Sequence, residues 1–219
     1  MALPGDELPG LEQALRRCLA PQHAASLARI DRLRQPADRL RSLLGHLLLR
    51  HLLRAAGVTA MPHIELGLYG KPHLRMPMPL EFNVSHAGRW VVCALAPTAV
   101  GIDIERVRDI DLRIAERCFQ PGEYAALMNR APDERPDYFF RLWTAKEAYV
   151  KALGLGLRRD FASFGVAPLD DPSMPVQPLA LTYPAFTEGY QLALCCAVTT
   201  PPLPITVTID RLLAPGWPE

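Results

Sequence analysis

The sequence predicts an α+β fold built from two similar lobes. Three observations carry that expectation. A chain of 219 residues buries a full core as one domain or as two tightly packed lobes. A strong helix signal is followed by several short strand-like runs, and the same order of helices then strands recurs in the second half.

The elements follow in chain order. Pro36 opens a helix with Asp38 in its first turn, Leu40, Leu43, Leu44, Leu47, Leu48 and Leu52 recur at helical spacing, and Gly57 stops it. Strands are predicted over 64–68, 82–84, 90–96 and 100–104, separated by Gly, Pro and Asn signals. Helices are predicted over 111–119, 122–129 and 136–153, the last closing at Gly154. Further strands are expected over 164–166, 179–182, 190–198 and 205–209. Lobes of 1–106 and 107–219 follow. No residue-level repeat accompanies the recurrence, and the biased stretches are proline-rich loops such as 168–178.

Bulk composition narrows the function classes. With 49% hydrophobic and 21% charged residues the chain is globular rather than disordered. A net charge of +1 points to neither a nucleic acid nor a membrane as partner. Locally, nine arginines between Arg16 and Arg54 stand against only Asp31 and Asp38, which suits an anionic ligand or a plain solvated face. The five cysteines, Cys18, Cys93, Cys118, Cys195 and Cys196, form no C-x-x-C pair and read as free thiols of a reducing compartment. The first residues carry no secretory pattern, and LLGHLLLRHLL is too short and too interrupted to span a bilayer. A cytoplasmic protein is expected.

Three segments carry chemistry. In Val100-Gly101-Ile102-Asp103-Ile104-Glu105, strand alternation puts Asp103 and Glu105 on one face and the isoleucines on the other. Two such carboxylates suit Mg²⁺, which takes one or two protein carboxylates plus substrate phosphate oxygens; alone, they describe an edge strand with a polar outer face better than a metal site. In the predicted helix FFRLWTAKEAYVKALGLG, Trp143, Glu147 and Lys151 share one stripe, with Lys146 beside it. Two of the three lysines of the chain lie there, in a chain with twenty-one arginines, and lysine is the compact point charge that suits a phosphoryl-transfer site. In Phe82-Asn83-Val84-Ser85-His86, a strand end entering a turn, Ser85 and His86 would offer a hydroxyl and a ring N–H to phosphate oxygens, and Asn83 would hold the turn. No hydrolase triad, zinc cluster, P-loop or dinucleotide fingerprint is present.

Together these segments resemble the 4′-phosphopantetheinyl transferase family in its longer, surfactin-synthetase-activating form. The matching motifs, in family order, are Gly70-Lys71-Pro72, Phe82 to His86, Gly101 to Glu105, Trp143 to Ala148, then Lys151 and Gly154-Leu155-Gly156. The stretch 29–45 also resembles the family's nucleotide-binding helix region. The resemblance implies a pseudo-dimer of two similar α/β lobes, acting as a monomer with its site between them.

It further implies transfer of phosphopantetheine from coenzyme A to a serine of an apo acyl- or peptidyl-carrier protein. Asp103, Glu105 and Glu147 would hold Mg²⁺, and Lys151, with Lys146 nearby, would neutralise the pyrophosphate. Ser85 and His86 would contact phosphates, Arg29 and Lys71 the ribose 3′-phosphate, and Arg41 and Ser42 the adenine. Glu123 or Glu147 would be the general base. One departure is Ala87, where relatives often carry serine. A carrier-docking edge is expected at Arg113 and Arg117 around Ile114 and Phe119. The competing expectations are a non-catalytic coenzyme A or carrier-binding protein and a metal-dependent phosphohydrolase.

Overall fold

The computed structural model describes residues 8–19, 24–156, 159–166, 179–197 and 204–213. Its order is α1 (Leu8–Leu19), α2 (Ala24–Ile30), α3 (Pro36–Ala55), β1 (His63–Leu66), β2 (Pro72–Arg75), β3 (Glu81–Ala87), β4 (Trp90–Ala96), β5 (Val100–Arg106), α4 (Leu112–Cys118), α5 (Pro121–Met128), α6 (Arg135–Leu153), β6 (Ala180–Thr182), β7 (Tyr190–Cys196) and α7 (Ile209–Leu213). This is the expected mixture of helix and sheet. Among the described residues no helix is long and apolar enough to cross a membrane.

The strands form three antiparallel groups: β1–β2, β3–β4, and β5–β7–β6. The reading of 1–106 as the first lobe ends on β5, which the sheet order puts in one ladder with β7 and β6 from 107–219.

Helix α3 begins at Pro36 in its first turn, where a missing N–H costs nothing. Of its leucines, Leu40, Leu43, Leu44 and Leu47 are fully buried and pack with Leu15 and Leu19 of α1 and Val91 of β4. Leu49 and Leu53, one turn on, cover Phe82 of β3. Helix α6 has apolar residues on most of its surface, with Phe139, Phe140, Leu142, Ala145, Ala148, Val150 and Ala152 all buried. It lies against both β5 and β7, and Gly154 ends it in the left-handed conformation at φ 68° that glycine alone adopts without cost.

Four differences from the sequence reading have local causes. Residues 164–166 form no strand; they follow a 3-10 turn, Phe161–Ser163, and the Val166 N–H donates to the Glu123 carboxylate at 2.8 Å instead of to a ladder. Residues 205–208 also lack a ladder, although Ile205 is exposed and Val207 is buried; Ile209 then starts α7. Strand β3 runs on to Ala87, pairing Ser85 with Val92 and His86 with Val91, so Ser85 and His86 stand on a strand and not in a turn. Helices α1 and α2 and strand β2 have no counterpart in the sequence reading. The 168–178 loop and Val198 lie outside the described residues.

Candidate active site

Strand β5 and helix α6 build the site together. Ile102 and Ile104 sink into a core with Ala87 and Leu192, which turns Asp103 and Glu105 to the other face. Helix α6 crosses β5 at Gly101, where an added Cβ would overlap the Ala148 carbonyl oxygen and the Ala152 nitrogen. Backbone therefore lies directly on backbone, the close approach for which a strand glycine is suited. Glu147 and Lys151, one helical turn apart, then reach the acidic face of β5. A cavity of about 270 Å³ is lined by Val84, Ser85, His86, Asp103, Glu105, Glu147 and Lys151.

One network crosses this cavity. The Lys151 ammonium donates to Asp103 Oδ1 at 2.5 Å, to Ser85 Oγ at 3.1 Å and to the Ile102 carbonyl at 3.5 Å. Ser85 Oγ donates in turn to Asp103 Oδ1 at 2.7 Å. Burial pushes the Asp103 carboxyl above its ordinary value, against the opposing pull of Lys151 and Ser85. Burial, then the neighbouring charge of Asp103, pushes Glu105 up to about 7. Glu147 is raised by burial and by Asp103 as well.

Three carboxyls that burial holds above their ordinary values, two of them raised further by Asp103, suit a hard cation. Asp103 Oδ2 is buried and has no hydrogen-bond partner among the described residues, so it is an acceptor with capacity left. The side chains do not converge as a ready-made cluster: among the described residues no three His, Cys, Asp or Glu groups are close enough to hold a metal unaided. The set fits Mg²⁺, which leaves most of its coordination to water and substrate phosphate.

Other residues expected at the site lie elsewhere. Lys146 is wholly buried and turns away from Glu147, because successive helix residues point about 100° apart. Its ammonium has three donors, and they go to Glu123 Oε2 at 2.8 Å, Phe161 O at 2.8 Å and Phe164 O at 2.6 Å. Nothing remains to bind a phosphate, and the expectation that Lys146 contacts the ligand is corrected accordingly. Glu123 is corrected with it. Its carboxylate accepts from the Gln120 and Val166 N–H groups at 2.9 Å and 2.8 Å and from Lys146, which makes it a buried brace and not a base.

Lys71 points inward too. It donates to Ala152 O at 2.9 Å and Val100 O at 3.3 Å and faces Glu81 at 3.5 Å. It lines a separate cavity of about 350 Å³ with Leu68, Tyr69, His73 and Gly154, apart from the one that Asp103, Glu105 and Glu147 line. Arg41 holds Asp38 at 2.8 Å and the Gly88 carbonyl at 3.1 Å, which places it at the β3–β4 turn two residues from His86. Ser42 is partly buried beside it on α3, and Arg29 is exposed on α2 with Ser26 as partner. None of these three lines the cavity. At the expected docking edge Arg113 is paired with Asp111 and Ile114 is exposed, but Phe119 is buried against Phe139 and offers no surface.

The brace has a measurable consequence. Glu123→Gln leaves the Lys146 charge buried without its counter-ion and should cost about 3–5 kcal/mol. The double variant Glu123→Gln/Lys146→Met should recover part of that loss in chemical denaturation. A single variant as stable as the wild type would show that the pair is not a charged brace.

Two roles were missed from sequence: Asn83, whose side-chain oxygen accepts from the Ile102 N–H at 2.9 Å, and Gly101. A glycine inside a strand pattern was the available signal for the second.

Comparison with known proteins now supplies the class. Residues 99–195 match the profile of the 4′-phosphopantetheinyl transferase superfamily, and residues 11–98 match that of the 4′-phosphopantetheinyl transferase N-terminal region. A 4′-phosphopantetheinyl transferase of Bacillus subtilis is 35% identical over 83% of this chain and 84% of its own length. The psf-1 transferase of Bacillus pumilus is 38% identical over 77% of this chain and 76% of its own. The gsp transferase of Aneurinibacillus migulanus is 36% identical over 78% and 74%. Among solved structures, holo-[acyl-carrier-protein] synthase of Thermotoga maritima overlaps 45% of this chain and 61% of its own, at 25% identity and a TM-score of 0.37. The chain belongs to the 4′-phosphopantetheinyl transferase family.

Proposed function

We propose that the cavity lined by β3, β5 and α6 is where this 4′-phosphopantetheinyl transferase moves phosphopantetheine from coenzyme A to a serine hydroxyl of an apo carrier protein. One observation carries the assignment: Asp103, Glu105, Glu147 and Lys151, from a strand and a distant helix, line a single cavity with Ser85 and His86. The relatives support transfer, and neither a non-catalytic binder nor a phosphohydrolase finds support among them.

In this reading the serine oxygen attacks the phosphorus that carries pantetheine. The bond from that phosphorus to the bridging oxygen breaks, and 3′,5′-ADP leaves with the electron pair. Asp103, Glu105 and Glu147 would hold Mg²⁺, which when bound stabilises charge on the pyrophosphate oxygens. Lys151 shifts from Asp103 toward the phosphate and offsets the negative charge gathering on the leaving group. Ser85 and His86 orient the phosphates from the β3 side. With Glu123 tied to Lys146, Glu147 is the base we assign to take the serine proton. Positioning and charge supply most of the acceleration in such transfers.

Both walls of the cavity come from one chain, β3 on one side and β5 with α6 on the other, which supports action as a monomer. Five free thiols suit the cytoplasm. The test is direct. Apo acyl- and peptidyl-carrier proteins incubated with coenzyme A and Mg²⁺ should each gain the mass of one phosphopantetheine group. No gain on any carrier would refute the assignment, and release of free phosphopantetheine without an acceptor would show a hydrolase instead.

A further inference from the structure

The cavity lies on a seam where two strands meet without pairing. Among the described residues the main chain of β3 forms a ladder with β4 and that of β5 with β7, not with each other, yet β3 packs directly against β5. Laddered strands would sit about 4.8 Å apart and leave no room for side chains between them. On this seam the polar backbone groups of Ile102 are taken by side chains. Its N–H donates to Asn83 Oδ1 at 2.9 Å, and its carbonyl accepts from Lys151 at 3.5 Å.

Asn83 is buried at 8% exposure and stands two residues before Ser85, so both project from the same face of β3. Ser85 reaches Asp103 just as Asn83 reaches the neighbouring Ile102. We infer that Asn83 is a positioning residue for the transfer reaction: its amide oxygen fixes β3 against β5, setting where Ser85 and His86 stand relative to Asp103 and Glu105. The inference rests on the assignment of this cavity as the transfer site.

The physical logic is that of a spacer. A main-chain ladder would close the gap, whereas an apolar contact would leave the Ile102 N–H buried without an acceptor. A short amide bridges the seam at one fixed length and keeps the cavity open beside it. Removing that bridge leaves the phosphate-facing wall and the acidic wall each intact but free to shift against one another. Displacements of about an ångström are enough to slow a positioned reaction by orders of magnitude.

The experiment compares Asn83→Leu, similar in size without an acceptor, with Asn83→Asp, which keeps an acceptor oxygen at the same reach. All rates are taken well below each variant's melting temperature. Asn83→Leu should lower kcat by at least about tenfold, while coenzyme A affinity, measured calorimetrically without a divalent ion, stays within about threefold. Hydrogen exchange at the Ile102 amide should accelerate in parallel. Asn83→Asp should restore kcat and Ile102 protection to near the wild-type values.

Wild-type kcat in folded Asn83→Leu, unchanged Ile102 exchange, or an Asn83→Asp no better than the leucine variant would each overturn the inference. If Asn83→Leu does not fold, Asn83→Ser, whose hydroxyl falls one bond short of the amide oxygen, takes its place under the same criteria. A wild-type rate for Glu147→Gln would count against the cavity assignment itself. An undisturbed Asn83→Leu beside an inactive Glu147→Gln would sink this inference alone.

Discussion

Glu147→Gln should lower the rate of phosphopantetheine transfer by about 10²- to 10⁴-fold in a protein that folds normally. The change keeps the volume of the side chain on α6 and removes both its charge and its capacity to accept a proton. Glu147 lies on the helix face that meets Asp103 and Glu105 across the cavity, and burial, followed by repulsion from Asp103, raises its carboxyl. Relieving that repulsion should leave the metal-free protein at least as stable as the wild type. A slow variant with an unchanged or higher melting temperature is therefore the expected pair of results. Transfer at the wild-type rate, followed by mass spectrometry under single-turnover conditions, would remove Glu147 from the mechanism.

Gly101→Ala should destabilise the protein by about 3 kcal/mol or more, and Gly101→Val should be little worse. The Cβ itself collides with the backbone of α6 at Ala148 and Ala152, so the first carbon does the damage and the methyls beyond it add little. Backbone cannot rotate aside as a side chain does, which puts this substitution at or beyond the upper end of overpacking costs. The damage should also reach the chemistry, since pushing α6 off β5 carries Glu147 and Lys151 away from Asp103. Gly122→Ala is the matched control: nothing lies within 4 Å of a Cβ there, and in helix α5 alanine should change stability by less than about 1 kcal/mol. Thermal melts of the two alanine variants decide the matter, and equal melting temperatures would show that the contact at Gly101 yields.

Much of this arrangement was legible in the sequence because local signals and tertiary demands agree. The leucine spacing after Pro36 and the glycine after Leu153 mark α3 and α6, and both helices form where their patterns place them. Alternation along 100–105 puts Asp103 opposite Ile102, and the i, i+4 spacing puts Glu147 and Lys151 on one stripe. These are periodic facts that need no knowledge of neighbours.

Lys146 shows where periodicity runs out. Its place beside the stripe was readable, but whether the neighbouring direction faces the cavity or the core depends on where Phe161, Phe164 and Glu123 come to lie. Glu123 was hidden for the same reason, and Lys71 turned inward because the end of α6 offered carbonyls that required donors. Residues 164–166 and 205–208 have strand-like composition, yet a strand needs a partner edge, and sequence does not say which edges are free.

The central claim is that Asp103, Glu105 and Glu147 share one divalent ion beside a pyrophosphate neutralised by Lys151. Crystals grown with coenzyme A and Mn²⁺ test it most directly. The account predicts an anomalous manganese peak in contact with carboxylate oxygens of that trio, with the pyrophosphate within hydrogen-bonding reach of Lys151. A manganese peak away from all three carboxylates, or a pyrophosphate held in the Lys71–Tyr69 cavity, would contradict it.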